Sequence, residues 1–138
     1  MDTSKNYIRM CQQAEEIQTQ WKPSEGDWCL YKAFVPKPYI GVLSDLSLEV
    51  VLIYKEEARL NDYTWLPRQD QLQEMIFSHK ECTLPSAMIK DPIKGICRFI
   101  DKSCIGRFDS MEQLWLAFVM NENYRKIWNG YKWENING

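Results

Sequence analysis

The sequence lacks most of the features by which a chemistry announces itself. It has one histidine, so an imidazole-rich metal site or a histidine-driven triad has little to draw on. It has no Walker loop, no GxGxxG, no HExxH and no GxSxG, the short patterns that place a phosphate, a metal or a nucleophile. Its longest apolar run, Leu114 to Met120, is seven residues, far short of the roughly 20 needed to cross a bilayer. The opening MDTSKNYIRM is polar and unlike a signal peptide. Five cysteines, an odd number without a CxxC pair, fit a reducing cytoplasm better than a disulfide framework. Neither sign of charge dominates. A net charge of -2 argues against a broad basic face for duplex DNA, whose binding is driven by phosphate neutralisation, while leaving room for a local basic patch. No repeat, low-complexity tract or linker divides the chain, so residues 1–138 are expected to form one domain.

What is present is ordinary globular material with an aromatic bias. Apolar residues make up 45% and charged residues 26%. A chain of this length buries roughly two-thirds of its unfolded surface, enough for a core without disulfides or metal. Six tryptophans point first to a core of large side chains and second to an exposed stacking surface.

The stretch from Phe108 to Tyr124, FDSMEQLWLAFVMNENY, organises the rest. A helix apolar on all sides is a buried one, so Leu114 to Met120 predicts a central helix. Asp109 is expected to cap it, with Glu112 completing a capping box. Arg125 and Lys126 then sit at the negative end.

Before it, residues 4–21 place Tyr7, Met10, Cys11, Ala14, Ile17 and Trp21 on one helical stripe, capped by Thr3 or Ser4 and ended by Pro23 and Gly26. The period then changes. Asp27 to Val35, Tyr39 to Ser44 and Leu48 to Tyr54 read as three strands of an antiparallel meander. Pro36 and Pro38 put the first link at a sheet edge. A helix over 48–59 is the competing reading of the third strand. Residues 56–66 read as a polar connection. Pro67 suits the first turn of a helix reaching Ser78, with Leu72, Met75, Ile76 and His79 on one face. Residues 80–90 read as irregular, with one helical turn at Pro85 to Lys90. Asp91-Pro92 opens a short amphipathic helix carrying Ile93, Ile96, Cys97 and Ile100, weakened at Gly95 by about 1 kcal/mol relative to alanine. In the tail, KIWNGYKWENING, Asn129-Gly130 fits the two positive-φ positions of a type I′ hairpin turn. The expected fold is α+β: a small antiparallel sheet of about three strands, about four helices and a C-terminal β-hairpin.

Two stretches offer candidate sites. Arg68, Gln69, Asp70, Gln71 and Glu74 fall on the first turns of the helix after Pro67. Arg68 near a helix N-terminus can hold a carboxylate or phosphate, and Asp70 with Glu74 at i and i+4 pairs two carboxylates on one face. The bland account is a helix start whose polar side chains tie down nearby backbone. In the tail, Arg125, Lys126 and Lys132 flank Trp128 and Trp133, the mixture of cations and aromatics that single-strand binders use; a packed aromatic hairpin explains the same residues. His79, Cys82, Cys97 and Cys104 are soft-ligand types, but Cys97-x6-Cys104 is a poor partner for a His79-x2-Cys82 half site. No metal, cofactor or catalytic residue is therefore assigned.

WLPRQDQLQEMI (Trp65 to Ile76) and FDSMEQLWLAFVMNENYRKIWNGYKW (Phe108 to Trp133) resemble a family of short bacteriophage and prophage proteins common in gut bacteria. The N-terminal helix followed by EGDW (Glu25 to Trp28) fits the same pattern. The resemblance spans about half the chain and departs between Lys80 and Cys104, where this sequence is longer and carries extra cysteines and prolines. It implies a phage accessory context in the cytoplasm of a host cell and brings no activity. The expectation is a non-enzymatic protein working through protein–protein contacts or self-association, without a membrane. Single-stranded nucleic-acid binding and an enzyme using Asp70 and Glu74 are the alternatives.

Overall fold

In a computed structural model of the chain, the described residues are 1–32, 35–56, 62–78, 92–102 and 108–136. Among them lie six helices, a three-stranded antiparallel sheet and a C-terminal two-stranded hairpin, an α+β fold. The chain divides into two compact units, Thr3–Arg68 and Met1–Asp2 with Gln69–Gly138.

The Thr3–Arg68 unit opens with α1 (Lys5–Gln13) and α2 (Glu15–Gln20). Ser4 caps α1, its hydroxyl accepting from the Tyr7 N–H at 3.2 Å. All six stripe residues, Tyr7, Met10, Cys11, Ala14, Ile17 and Trp21, are buried. The single helix expected over 4–21 is broken at Ala14, whose φ of -86° and ψ of 66° leave the helical region. Its N–H closes α1 on the Cys11 carbonyl at 3.2 Å, and its carbonyl opens α2 by accepting from Ile17 and Gln18 at 3.0 Å. The stripe survives the break because both pieces keep the same apolar side inward.

The sheet consists of β1 (Trp28–Tyr31), β2 (Tyr39–Val42) and β3 (Tyr63–Trp65), in the order β2-β1-β3. The first two strands form within the stretches the sequence assigns to them but are shorter, ending at Tyr31 and Val42. The third does not. Leu48 to Tyr54 belongs to a helix, α3 (Asp45–Glu56). Ser44 and Ser47, which read as turn residues, are its start: the Ser47 hydroxyl accepts from the Ser44 N–H at 2.8 Å, and the Leu48 N–H donates to the Ser44 carbonyl at 2.9 Å. This is the backward arm of a capping box. The strand that completes the sheet, Tyr63–Trp65, lies in the stretch read as a polar connection. Across one face of the sheet run Tyr39, Tyr31 and Tyr63: the first two rings are stacked at 4.8 Å, the second pair meets edge-on at 5.5 Å. Trp65 stacks on Trp21 at 5.7 Å, and the Trp21 indole N–H donates to the buried Asp27 carboxylate at 2.8 Å.

The second unit contains α4 (Gln69–Ser78), α5 (Pro92–Lys102), α6 (Met111–Tyr124), and the hairpin strands β4 (Lys126–Trp128) and β5 (Trp133–Asn135). The central helix is α6. Trp115 to Met120 are buried on every side, and α4, α5 and β4 pack on it. Its cap is Ser110 rather than Asp109: the Ser110 hydroxyl accepts from the Gln113 N–H at 3.1 Å, and the Gln113 side chain accepts from the Asp109 N–H at 3.2 Å. Asp2 fastens the same corner, accepting from Ser110 at 2.6 Å and Gln113 at 2.8 Å. Helix α4 starts at Gln69, two residues after Pro67, and turns Leu72 and Ile76 inward. In α5 the expected apolar face is rotated. Ile96 is buried, but Ile93 and Cys97 are exposed. Instead Phe99 meets Phe118 at 5.5 Å, and Gly95 lies against the same ring, where a Cβ would be 3.1 Å from the Phe118 Cζ. The missing side chain at Gly95 sets which side of α5 approaches α6.

Arg125 ends α6 in the left-handed region, φ 56°. The tail forms the expected hairpin with a different turn. Only Gly130 has a positive φ, 103°. The Asn129 side-chain oxygen accepts from the Tyr131 and Lys132 N–H groups at 2.8 and 2.9 Å, and the Asn129 N–H donates to the Lys132 carbonyl at 3.1 Å. A side-chain turn thus replaces the type I′ pair, and Tyr131 sits in the loop. His79, Cys82, Cys104, the turn at Pro85 to Lys90 and the Asp91 cap lie outside the described residues.

Candidate functional site

The polar stretch after Pro67 is divided by the fold. Arg68 ends the Thr3–Arg68 unit, where its guanidinium donates to the Gly26 carbonyl at 3.0 Å. That bond holds the turn that opens β1. Gln69, Asp70, Gln71 and Glu74 belong to α4. Gln69 and Gln71 are half-buried, whereas Asp70 and Glu74 are exposed on one side of the helix. No group of three or more His, Cys, Asp or Glu side chains comes together among the described residues.

In the tail, Trp128 stands opposite Trp133, with ring centroids 5.0 Å apart. Trp128 is 5% exposed and Trp133 half-buried. A base can stack on Trp128 only by unpacking it. Lys132 pairs with Glu134 at 3.5 Å, Arg125 is exposed and Lys126 half-buried. The packed pair restricts a stacking surface to the open side of Trp133.

Titration reinforces the structural character of the buried groups. Burial, and secondarily the charge of Asp27, pushes the Cys29 thiol far above its ordinary value, so Cys29 stays a neutral apolar side chain. Burial raises Tyr31 as well, opposed by a hydrogen bond from Ser47.

The surface that the sequence reading missed is on α3. Val51 is 1% exposed and faces inward, while Val50, Leu52 and Ile53 are 44%, 41% and 56% exposed. At 100° per residue, Leu52, Glu49, Ile53 and Val50 follow one another around the outward side. Among the described residues of α3, Val51 is buried, while three apolar neighbours gather around Glu49 on the outward side. The signal was in the sequence as the run Val50 to Ile53, but a strand reading assigns alternate residues of that run to two faces and hides the gathering of Val50, Leu52 and Ile53 on one side. Beside α3 in sequence, the end of β2 exposes Val42. Among the described residues no helix is long and apolar enough to cross a membrane.

No family model, curated protein or solved structure matches the chain.

Proposed function

We propose that this chain is a non-enzymatic accessory protein of a phage or prophage, acting by contact with another protein through the outward face of α3. The observation that carries the reading is the exposure of Val50, Leu52 and Ile53 on a helix whose inward side is already filled by Val51. These side chains are about half exposed, so leaving them in water costs roughly 1 kcal/mol each relative to full burial, and exposed apolar side chains gathered on one side of a helix, here around Glu49, mark an interaction site. The motifs around Trp65 to Ile76 and Phe108 to Trp133 supply the phage context by resemblance. The exposed positions of Asp70 and Glu74, outside any cluster of acidic, histidine or cysteine side chains among the described residues, favour a contact role over catalysis.

The test is a double substitution, Val50→Glu with Ile53→Glu, compared with the unaltered chain in lysogenic cells. The proposal expects a discrete complex, resolved by native size, that contains the unaltered chain and is lost with the double variant at an unchanged circular-dichroism spectrum. A complex of the same size and amount with the variant contradicts it.

A further inference from the structure

The three-stranded sheet treats its two edges differently. Lys32 N–H donates to the Asp62 carbonyl at 2.9 Å and Leu66 N–H to the Trp28 carbonyl at 2.8 Å. Residues 62, 64 and 66 therefore turn their backbone groups toward β1, and Tyr63 and Trp65 turn theirs to the outside. There Gln18 is waiting: its side-chain oxygen accepts from the Trp65 N–H at 2.8 Å, and its amide nitrogen donates to the Trp65 carbonyl at 2.9 Å. One buried amide closes the β3 edge as a neighbouring strand would.

The β2 edge has no such closure among the described residues. Leu43 N–H donates to the Asp27 carbonyl at 2.8 Å, with Gly41 opposite Cys29 and Tyr39 opposite Tyr31. Residues 39, 41 and 43 thus face β1, and Ile40 and Val42 present their N–H and C=O groups outward. No backbone or side-chain partner meets these groups among the described residues. The strand also lacks the usual edge protection of a lysine, a proline or a bulge. Tyr39–Val42 contains no charge or proline, and its register with β1 is uninterrupted. Pro36, Lys37 and Pro38 guard only the approach to it.

N–H and C=O groups at alternate residues, without a partner among the described residues, specify a strand as their occupant. The sequence of β2 fits its own copy. An antiparallel pairing about a twofold axis at Gly41 sets Ile40 opposite Val42 of the second copy, and Val42 opposite its Ile40. Both residues face outward, so the register forms about four backbone hydrogen bonds. It matches apolar side chains on one face and buries no charge. Gly41 meets Gly41 at the non-hydrogen-bonded site, where strands approach most closely. On that face the Tyr31 and Tyr39 rings already cover it, 3.1 and 3.3 Å from where a Cβ would stand. We propose that two copies of the chain associate in this way, antiparallel through β2, joining their sheets into one. The proposal goes beyond the α3 reading and rests on a separate surface.

Sedimentation equilibrium on the full chain, from roughly micromolar to millimolar, tests it. Val42→Lys places a charge in the interface, and Ile40→Pro removes one outward N–H, a change that edge strands accept. The expected result is a monomer–dimer equilibrium whose Kd weakens by about tenfold or more in each variant. Exchange of the Ile40 and Val42 amides in the unaltered chain slows as concentration rises. The α3 double variant, Val50→Glu with Ile53→Glu, retains the dimer. A monomer throughout the range overturns the proposal. So does a dimer unaffected by both β2 substitutions, or one lost only in the α3 variant, which assigns self-association to α3. If a β2 variant fails to fold, the amide exchange decides: concentration-independent exchange at Ile40 and Val42 overturns the pairing.

Discussion

Single residues hold this protein together at points where the backbone would otherwise be left unsatisfied. Gln18 is the clearest. Its amide nitrogen serves the Cys11 carbonyl at 3.1 Å as well as Trp65, so one side chain closes both the helix break at Ala14 and the β3 edge. Removing a partner from a buried backbone group costs about 1–3 kcal/mol. Gln18→Ala is expected to lower stability by about 2–4 kcal/mol in urea unfolding, given that the Trp65 N–H and carbonyl both lose their partner, while the Cys11 carbonyl keeps the Ala14 N–H. Gln18→Glu is expected to be more damaging at neutral pH, because a carboxylate can accept from Trp65 but cannot donate to either carbonyl. Glu122 makes an opposite prediction. Burial raises its carboxyl above the ordinary 4.5, with Arg125 and Lys102 opposing the rise. A folded-state value above the unfolded one means that the native state binds the proton more tightly. The associated stability is complete below the unfolded value and is lost as pH rises through the folded one. Glu122→Gln should therefore raise Tm at neutral pH, and the gain should vanish as pH falls below about 4.5. A gain that grows on acidification would contradict the assignment.

At the scale of elements, two helices show what patterning can and cannot convey. The α1–α2 stripe and the run in α6 were legible because burial repeats every three or four residues, or is total, over enough length to be unambiguous. The break at Ala14 was not, since alanine is the best helix former and nothing local announces it. Leu48 to Tyr54 failed as a strand for two reasons. Its run Val50 to Tyr54 has no period to distinguish strand from helix, and Ser44 and Ser47 make the same side-chain-to-backbone bonds in a turn as at a helix start. Tyr63–Trp65 is too short to show alternation. In α5 the apolar stripe was visible, but the contact with α6 is set by Gly95, whose role lies in what it lacks. That contact can be measured. Gly95→Ala gains about 1 kcal/mol of helix propensity yet presses on Phe118. The substitution is expected to be destabilising in the unaltered chain and stabilising in Phe118→Leu. The coupling should exceed about 1 kcal/mol in a double-mutant cycle read by denaturant unfolding, since the contact must outweigh the propensity gain; additivity would mean that the close approach carries no energy.

At the scale of the molecule, aromatic and aliphatic side chains share the cores of the two units, and both kinds also reach the surface, as Tyr39, Phe77 and Ile53 do. Four of the six tryptophans, Trp21, Trp65, Trp115 and Trp128, are buried, in keeping with the reading of aromatic richness as core. The candidate site was less legible than the fold. Arg68 to Glu74 stood out in the sequence because unusual polar wording draws attention, yet Arg68 is engaged by the Gly26 carbonyl. The outward side of α3 and the open edge of β2 draw no attention in a sequence, because exposure of an apolar residue is a property of packing.

The central claim, that the outward face of α3 meets another protein, is tested most directly by placing a photo-crosslinking amino acid at Ile53 and, as a control, at exposed Lys37. Cells in which the chain acts are then irradiated. A single discrete adduct is expected from position 53, mapped by mass spectrometry to one partner protein, and none of that mass from position 37. No adduct from 53, or the same adducts from both positions, would contradict it.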